Sequence, residues 1–158
     1  MSTPHPSGRT MPALTPERRF IVAAARSEGA VIRRALAAGL SPDAAPPGKP
    51  SALCYAALGD ELDLLALLID HGADVNFADG LGNTPCIYAA LGGSVDCLQA
   101  LARCGADLCT ANRRGDRAVD CCRTACCRHV IEQALAVDTA TEAELPAITP
   151  GARGTPLQ

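Results

Sequence analysis

The sequence predicts an all-α solenoid in which four helix-turn-helix units stack in a row. When the 158-residue chain is shifted by 33 residues, Ser51–Gly59 aligns without a gap on Thr84–Gly92, and His71–Val75 aligns on Cys104–Leu108. Self-similarity at such a period is typical of stacked repeats. Apolar residues make up 48 % of the chain but aromatic residues only 3 %. Such small side chains suit thin layers of closely spaced helices better than a wide globular interior.

Each unit carries start and stop signals for two short helices. Ser51 and Thr84 stand at equivalent positions and are predicted N-caps, and Pro85 follows at the first helical position, where its missing N–H costs nothing. The second helix of that unit is predicted from Ser94 to Arg103. Gly105 then supplies the left-handed residue that ends a helix.

The segments between units are predicted to be short β-hairpin finger loops. In Asp79–Asn83, two glycines, Gly80 and Gly82, provide the backbone freedom that a tight hairpin needs. These fingers would link one helix pair to the next.

The end units diverge from the inner ones, as capping repeats do. A first helix is predicted to begin at Thr15 and Pro16, and the last unit keeps Gly115 and the apolar spacing. We therefore predict a repeat domain over residues 14–137, with units at about 14–46, 47–79, 80–112 and 113–137. Residues 1–13 and 138–158, which are rich in Thr, Pro and Gly, are predicted to be disordered tails.

The pattern resembles the ankyrin repeat, whose signature is a Thr-Pro-Leu-His-x-Ala-Ala helix start followed by Leu-Leu-x-x-Gly-Ala-Asp-x-Asn. The matching residues are Thr84, Pro85, Ala89, Ala90, Gly105, Ala106 and Asp107 in one unit and Ala56, Ala57, Leu67, Leu68, Gly72, Ala73, Asp74 and Asn76 in the unit before it. The resemblance covers about residues 16–136 and implies a concave groove that binds a protein partner. Cys54 and Ile87 replace the signature His, and Cys109 replaces the usual Asn. We expect these departures to weaken local turn hydrogen bonds without changing the architecture.

The charge pattern bears on the class of partner. The net charge of −3 argues against a dedicated nucleic-acid binder, which needs a clustered basic face. Residues 48–98 hold seven acids and one base, whereas residues 99–129 hold six arginines and three aspartates. The N-terminus shows no apolar signal segment and no stretch is long enough to span a membrane, so we expect a cytoplasmic monomer with reduced thiols.

The register indicates which side chains face the groove. The position before each Ala-Ala pair is Tyr55 in one unit and Tyr88 in the next, and tyrosine is enriched at interface hot spots. The alternative is that these tyrosines only cover the helix surface. At the finger tips, Leu81 would add an exposed aliphatic side chain, and Arg113 with Arg114 would add a cationic edge for an acidic partner. The predicted partner-binding residues are Tyr55, Tyr88, Leu81, Asn83, Arg113, Arg114, Asp116 and Cys121.

A cysteine cluster, Cys121-Cys-Arg-Thr-Ala-Cys-Cys-Arg-His129, offers a different chemistry. Its spacing lacks the paired Cys-x2-Cys knuckles of zinc sites, and adjacent helical residues point about 100° apart. The register places Cys122 on a buried alanine position and both Cys126 and Cys127 on the turn between helices. We therefore predict packing roles and neither a metal nor a cofactor, with a zinc site or a redox sensor as the alternatives.

The predicted function is that of a non-catalytic protein–protein interaction module, which acts as an adaptor, scaffold or inhibitor. The sequence contains no phosphate loop, no Gly-x-Ser-x-Gly elbow and no paired carboxylates placed to converge, so we do not predict an enzyme. A thiol- or metal-responsive regulator and a bacterial effector or immunity-type binder remain the alternatives.

Overall fold

A computed structural model describes residues 14–143, with side chains through Val137. This part of the chain contains seven helices and no β-strand. In chain order they are α1 (Pro16–Ala25), α2 (Gly29–Ala37), α3 (Ala52–Leu58), α4 (Leu62–Asp70), α5 (Pro85–Gly92), α6 (Val95–Arg103) and α7 (Ala125–Ala143). Of the predicted tails at residues 1–13 and 138–158, residues 1–13 and 144–158 lie outside the described residues, and residues 138–143 belong to α7.

The helices form two layers that share one core. In the layer of first helices, α1 packs against α3 and α3 against α5, while in the other layer α4 packs against α6 and α6 against α7. The buried residues are mostly Ala, Leu and Cys, and Leu53, Leu65 and Leu98 are fully buried. Burying a leucine side chain contributes about 1.5–3 kcal/mol. The predicted all-α stack is therefore confirmed.

Two of the three predicted helix caps form as expected. The Thr15 hydroxyl accepts a hydrogen bond from the Arg18 N–H at the start of α1, and the Thr84 hydroxyl accepts one from the Ile87 N–H at the start of α5. Ser51 occupies the N-cap position of α3, but its side chain caps no backbone N–H. Its buried hydroxyl lies 3.5 Å from the Cys54 sulfur instead.

Gly92, the last residue of α5, lies close against the end of α3. A Cβ atom at this position would overlap the carbonyl of Leu58 at the end of α3. Gly93 follows in the left-handed conformation, with φ of 77°, and turns the chain into α6.

The connecting loops contain no β-strand, so the predicted β-hairpins are not confirmed. Two of the loops are tight turns, each closed by two backbone hydrogen bonds. One turn has Asp79 N–H to the Asn83 carbonyl (3.1 Å) and Gly82 N–H to the Asp79 carbonyl (2.9 Å), and the other has Asn112 N–H to the Asp116 carbonyl and Gly115 N–H to the Asn112 carbonyl (both 2.9 Å). Further backbone hydrogen bonds join each loop to the loop of the unit before it. The Arg113 N–H donates to the Leu81 carbonyl, as the Gly80 N–H does to Gly48 one unit earlier.

A second ladder ties each unit to the one before it. The Asp74 N–H donates to the Asp43 carboxylate, and 33 residues later the Asp107 N–H donates to the Asn76 side chain at 2.7 Å. Cys109 holds the third position of this column, so the acceptor side chain is missing there. The turn itself survives because Asp107 accepts from the Cys109 N–H at 2.7 Å. The expected weakening of turn bonds does not occur at this position.

The fourth unit is incomplete. Its first helix is reduced to a turn at residues 118–121, and α7 begins at Ala125, three residues before the position equivalent to the start of α6. Cys126 and Cys127 therefore lie within α7, and their predicted placement in an inter-helix turn is wrong. α7 also continues to Ala143, six residues past the predicted domain end at 137.

Candidate interaction surface

The first helices α3 and α5 reach solvent through one narrow strip, whereas α1 also exposes Arg18 and Arg19. In α3 every residue is buried except Tyr55 and Leu58, and in α5 every residue is buried except Tyr88, Leu91 and Gly92. Residues three apart on a helix lie about 60° apart around its axis, so each tyrosine shares a face with its leucine.

In α1 the equivalent positions are Val22 and Ala25, which are also exposed. We call these positions the first-helix strip: Val22, Ala25, Tyr55, Leu58, Tyr88 and Leu91. Val22, Leu58 and Leu91 are 37 %, 40 % and 38 % exposed, and both tyrosines are half-buried. The strip is apolar along its whole length.

Tyr88 is fixed by the loop that precedes its helix. Its hydroxyl donates to the Asp79 carboxylate at 2.7 Å, and Asp79 is only 9 % exposed. Burial by itself would raise the pKa of Asp79, but hydrogen bonds from Tyr88 and from the backbone N–H groups of Asn83 and Leu81 outweigh it and lower that pKa. Burial and the neighbouring carboxylate raise the pKa of Tyr88, so the hydroxyl remains a donor.

Tyr55 has no such anchor. The position equivalent to Asp79 in its unit is Pro46, which has no side-chain acceptor, and the Tyr55 hydroxyl donates to none of the residues between 14 and 143. Two tyrosines that are equivalent in sequence therefore differ in how they are held.

Asn83 joins two loops and does not face outward as a free polar group. Its N–H and side-chain amide donate to Asp79 at 2.9 and 3.3 Å, while its side-chain oxygen accepts from the Asn112 amide at 2.9 Å. Asn112 in turn accepts from the N–H groups of Arg114 and Asp116. Asn83 thus positions the loop tips.

The loop tips carry the remaining predicted side chains. Leu81 is 64 % exposed, the most exposed leucine in the part of the chain whose side chains are described. Arg113 and Arg114 are exposed, and the Arg114 guanidinium lies 3.7 Å from the half-buried Asp116 carboxylate. An ion pair this accessible contributes little stability, so its charges remain available to a partner.

Cys121 falls in the turn that replaces the first helix of the fourth unit. It is half-buried, and burial followed by the nearby Asp116 and Asp120 carboxylates raises the pKa of its thiol. Burial also raises the pKa of the Cys122 thiol, which lies 3.3 Å from the Ala118 carbonyl. Neither residue has the depressed pKa that favours a reactive thiolate.

A comparison with known protein families agrees with the repeat fold that the register and the buried helix faces indicate. The model of ankyrin repeats, in three copies, matches residues 20–112, more than half of the chain. The chain belongs to the ankyrin-repeat family. Ankyrin repeats are generally protein–protein interaction modules, and the family is typically non-catalytic. No curated protein matches the chain.

The matched ankyrin repeats cover the first three units and end at the loop that opens the fourth. Three complete helix pairs are present, α1 with α2, α3 with α4 and α5 with α6, and α7 closes the stack. No helix between residues 14 and 143 is long and apolar enough to cross a membrane. Within the same residues, no three His, Cys, Asp or Glu side chains are grouped so that they could hold a metal ion.

Sequence reasoning identified the tyrosines of the strip but missed Val22, Leu58 and Leu91. The signal was present, because each stands three residues from, or at the position equivalent to, a selected tyrosine. A leucine three residues after each tyrosine, in two successive ankyrin repeats, indicates an apolar surface that is not buried in the core.

Proposed function

We propose that this ankyrin-repeat chain is a non-catalytic interaction module that holds a protein partner on the first-helix strip, as an adaptor, scaffold or inhibitor. One observation carries the proposal. Apart from Gly92, α3 and α5 expose only their strip residues, and these are tyrosine and leucine rather than the polar residues that a solvated helix face would carry.

The strip suits binding for two physical reasons. Tyrosine and leucine offer apolar area whose removal from water contributes about 25 cal/mol per Å². The strip is also held rigidly, because Tyr88 is anchored to Asp79 and the intervening alanines are buried between helices. A rigid surface loses little conformational entropy when it binds.

The loop tips extend the same surface. Leu81 projects from the loop directly before α5, and Arg113 follows in the next loop. Asn83 and Asp116 hold these tips, and Cys121 continues the Tyr55–Tyr88 column at the last unit. We infer that the protein acts as a cytoplasmic monomer that uses this face for protein and not for nucleic acid, in keeping with the net charge of −3.

The test uses a partner captured with the full chain and confirmed with both proteins purified. Leu58→Ser with Leu91→Ser removes apolar area without touching a hydrogen bond, and we expect affinity to fall by a factor of ten or more. Leu62→Ser is the matched control, since Leu62 is 42 % exposed but lies on α4, outside the strip. Equal affinities for the double variant and the control, measured by calorimetry, would reject the strip as the binding surface.

A further inference from the structure

The cations at the C-terminal end of the strip fall into two groups. Arg114 is paired with Asp116, and Arg117 with Asp120 at 3.2 Å. Arg113, Arg123 and Arg128 are exposed and form no ion pair with any residue that the structure describes. Arg128 lies on α7, which packs against α6 in the layer of second helices, whereas Arg113 and Arg123 lie in the loops before α7.

These two arginines lie at opposite edges of the strip. The Arg113 N–H donates to the Leu81 carbonyl at 2.9 Å, which places Arg113 at the loop edge, before α5 begins. The Arg123 N–H donates to the Ala90 carbonyl at 3.3 Å, which places Arg123 at the other edge, beside the end of α5. The surface that continues beyond Tyr88 is thus flanked by a cation on each side.

The middle of the strip has the opposite character. No basic side chain lies on α3 or α5, and the turn after α3 carries Asp60, which is exposed. A negatively charged group would be repelled near Asp60 and attracted between Arg113 and Arg123. Apolar contact and negative charge are therefore favoured at different places along the same surface.

We propose that the occupant of the strip is a linear protein segment whose apolar side chains lie on Tyr55, Leu58, Tyr88 and Leu91 and whose acidic end lies over the fourth unit, between Arg113 and Arg123. The inference rests on the proposed function and adds the chemistry of the partner and the place of its acidic end. Packed helices lie about 10 Å apart, so the two spacings from α3 to the fourth unit correspond to about six residues of extended chain.

A protein segment fits this surface better than a nucleic acid. Neither α3 nor α5 contributes a cation to the strip, whereas a phosphate backbone would need a continuous row of cations. An acidic segment needs charge at one end only, and arginine binds carboxylates through paired hydrogen bonds.

The experiment selects binders to the full chain from a displayed library of random 12-residue peptides. We expect enriched peptides to carry apolar residues in one half and two or more Asp or Glu in the other. Synthetic peptides of that kind should bind Arg113→Glu with Arg123→Glu about tenfold more weakly than the wild-type chain, and the loss should shrink at high salt. Arg33→Glu with Arg103→Glu is the control, since both arginines are exposed on second helices and the change in net charge is the same.

Other outcomes separate this inference from the proposed function. Peptides that depend on Leu58 and Leu91 but show no acidic bias would overturn the inference and leave the proposed function standing. Peptides insensitive to the Leu58→Ser and Leu91→Ser changes would overturn both. If no peptide is enriched, a linear occupant is rejected, and the captured-partner test still decides the function. A 12-nucleotide single-stranded DNA that binds more tightly than the peptides, and loses binding on the same charge reversal, would assign the arginines to nucleic acid.

Discussion

Removing one oxygen atom, by Tyr88→Phe, tests whether the loop before α5 is held by its tyrosine. The Tyr88 hydroxyl donates to a carboxylate that is 9 % exposed, at 2.7 Å, and hydrogen bonds to charged groups contribute about 1.5–3 kcal/mol. Asp79 keeps its bonds from Leu81 and Asn83, so it is not left unsatisfied. We therefore expect the lower end of the range, a loss of about 1.5 kcal/mol in the free energy of unfolding, or about 6 °C in Tm.

The chain offers a matched control for this change. Tyr55→Phe removes the same atom at the equivalent position of the preceding unit, where Pro46 replaces Asp79 and the hydroxyl has no partner among the described residues. We expect this variant to lose less than about 0.5 kcal/mol, as most surface changes do. Urea unfolding followed by circular dichroism measures both variants. Equal losses, or a larger loss for Tyr55→Phe, would refute the anchoring role of Tyr88.

Three further perturbations address the loop, the helix contact and the thiols. Because the pKa of Asp79 is lowered in the folded state, its stabilising contribution is complete above a pH of about 4 and is lost as the pH falls through the folded value; the wild-type chain should lose more stability between pH 5 and 3 than Asp79→Asn, and parallel Tm profiles would contradict this. Gly92→Ala should destabilise by about 1–3 kcal/mol in urea titrations despite the better helix propensity of alanine, because its Cβ would overlap the Leu58 carbonyl, whereas Gly29→Ala meets no atom within 4 Å and should cost nothing. Iodoacetamide at pH 8 should label the exposed cysteines first and the buried cysteines only on unfolding. Burial raises the thiol pKa to about 11 for Cys54 and to about 12 for Cys86 and Cys97. Early labelling of these buried cysteines, detected by mass spectrometry, would show that the stack opens. The exposed set is Cys104, Cys109 and Cys126.

The sequence was a sufficient guide wherever a local signal and the register agreed. Thr15 and Thr84 combine an N-cap with a following proline, and both helices begin where these residues predict. Ser51 has the register without the proline, and its hydroxyl lies against the sulfur of Cys54, whereas the equivalent residue after Thr84 is Ile87, whose side chain accepts no hydrogen bond. A side-chain partner thus replaced the backbone N–H at this cap.

In the fourth unit the register alone misled the prediction. The positions equivalent to Thr84 and Pro85 are Arg117 and Ala118, so no cap and no proline start a helix, and the Arg117 N–H bonds to Asp120 in a tight turn. The helix starts later, where the Thr124 hydroxyl accepts from the Cys127 N–H at 3.2 Å. That threonine was the available signal.

The place of the candidate surface followed from the register, but its extent did not. The Tyr55 and Tyr88 column could be read from the repeat, whereas the difference between them depends on Pro46 and Asp79 nine residues upstream of each tyrosine. Whether the tyrosine hydroxyl meets an acceptor depends on how the loop before the helix folds back onto it, and the helical repeat pattern carries no information about that.

The ladder that joins Asp43 to Asp74 and Asn76 to Asp107 makes the units interchangeable parts. Deleting residues 44–76, one whole period, would bring Asp43 into the place of Asn76, and a carboxylate can accept from the Asp107 N–H as the amide does. The shortened chain would keep Asp79 with Tyr88 and lose α3 and α4 together with half of the tyrosine column. Recombination between equivalent positions can therefore shorten the chain by one unit, and the proposed binding face then loses Tyr55 while the hydrogen bond between neighbouring units is kept.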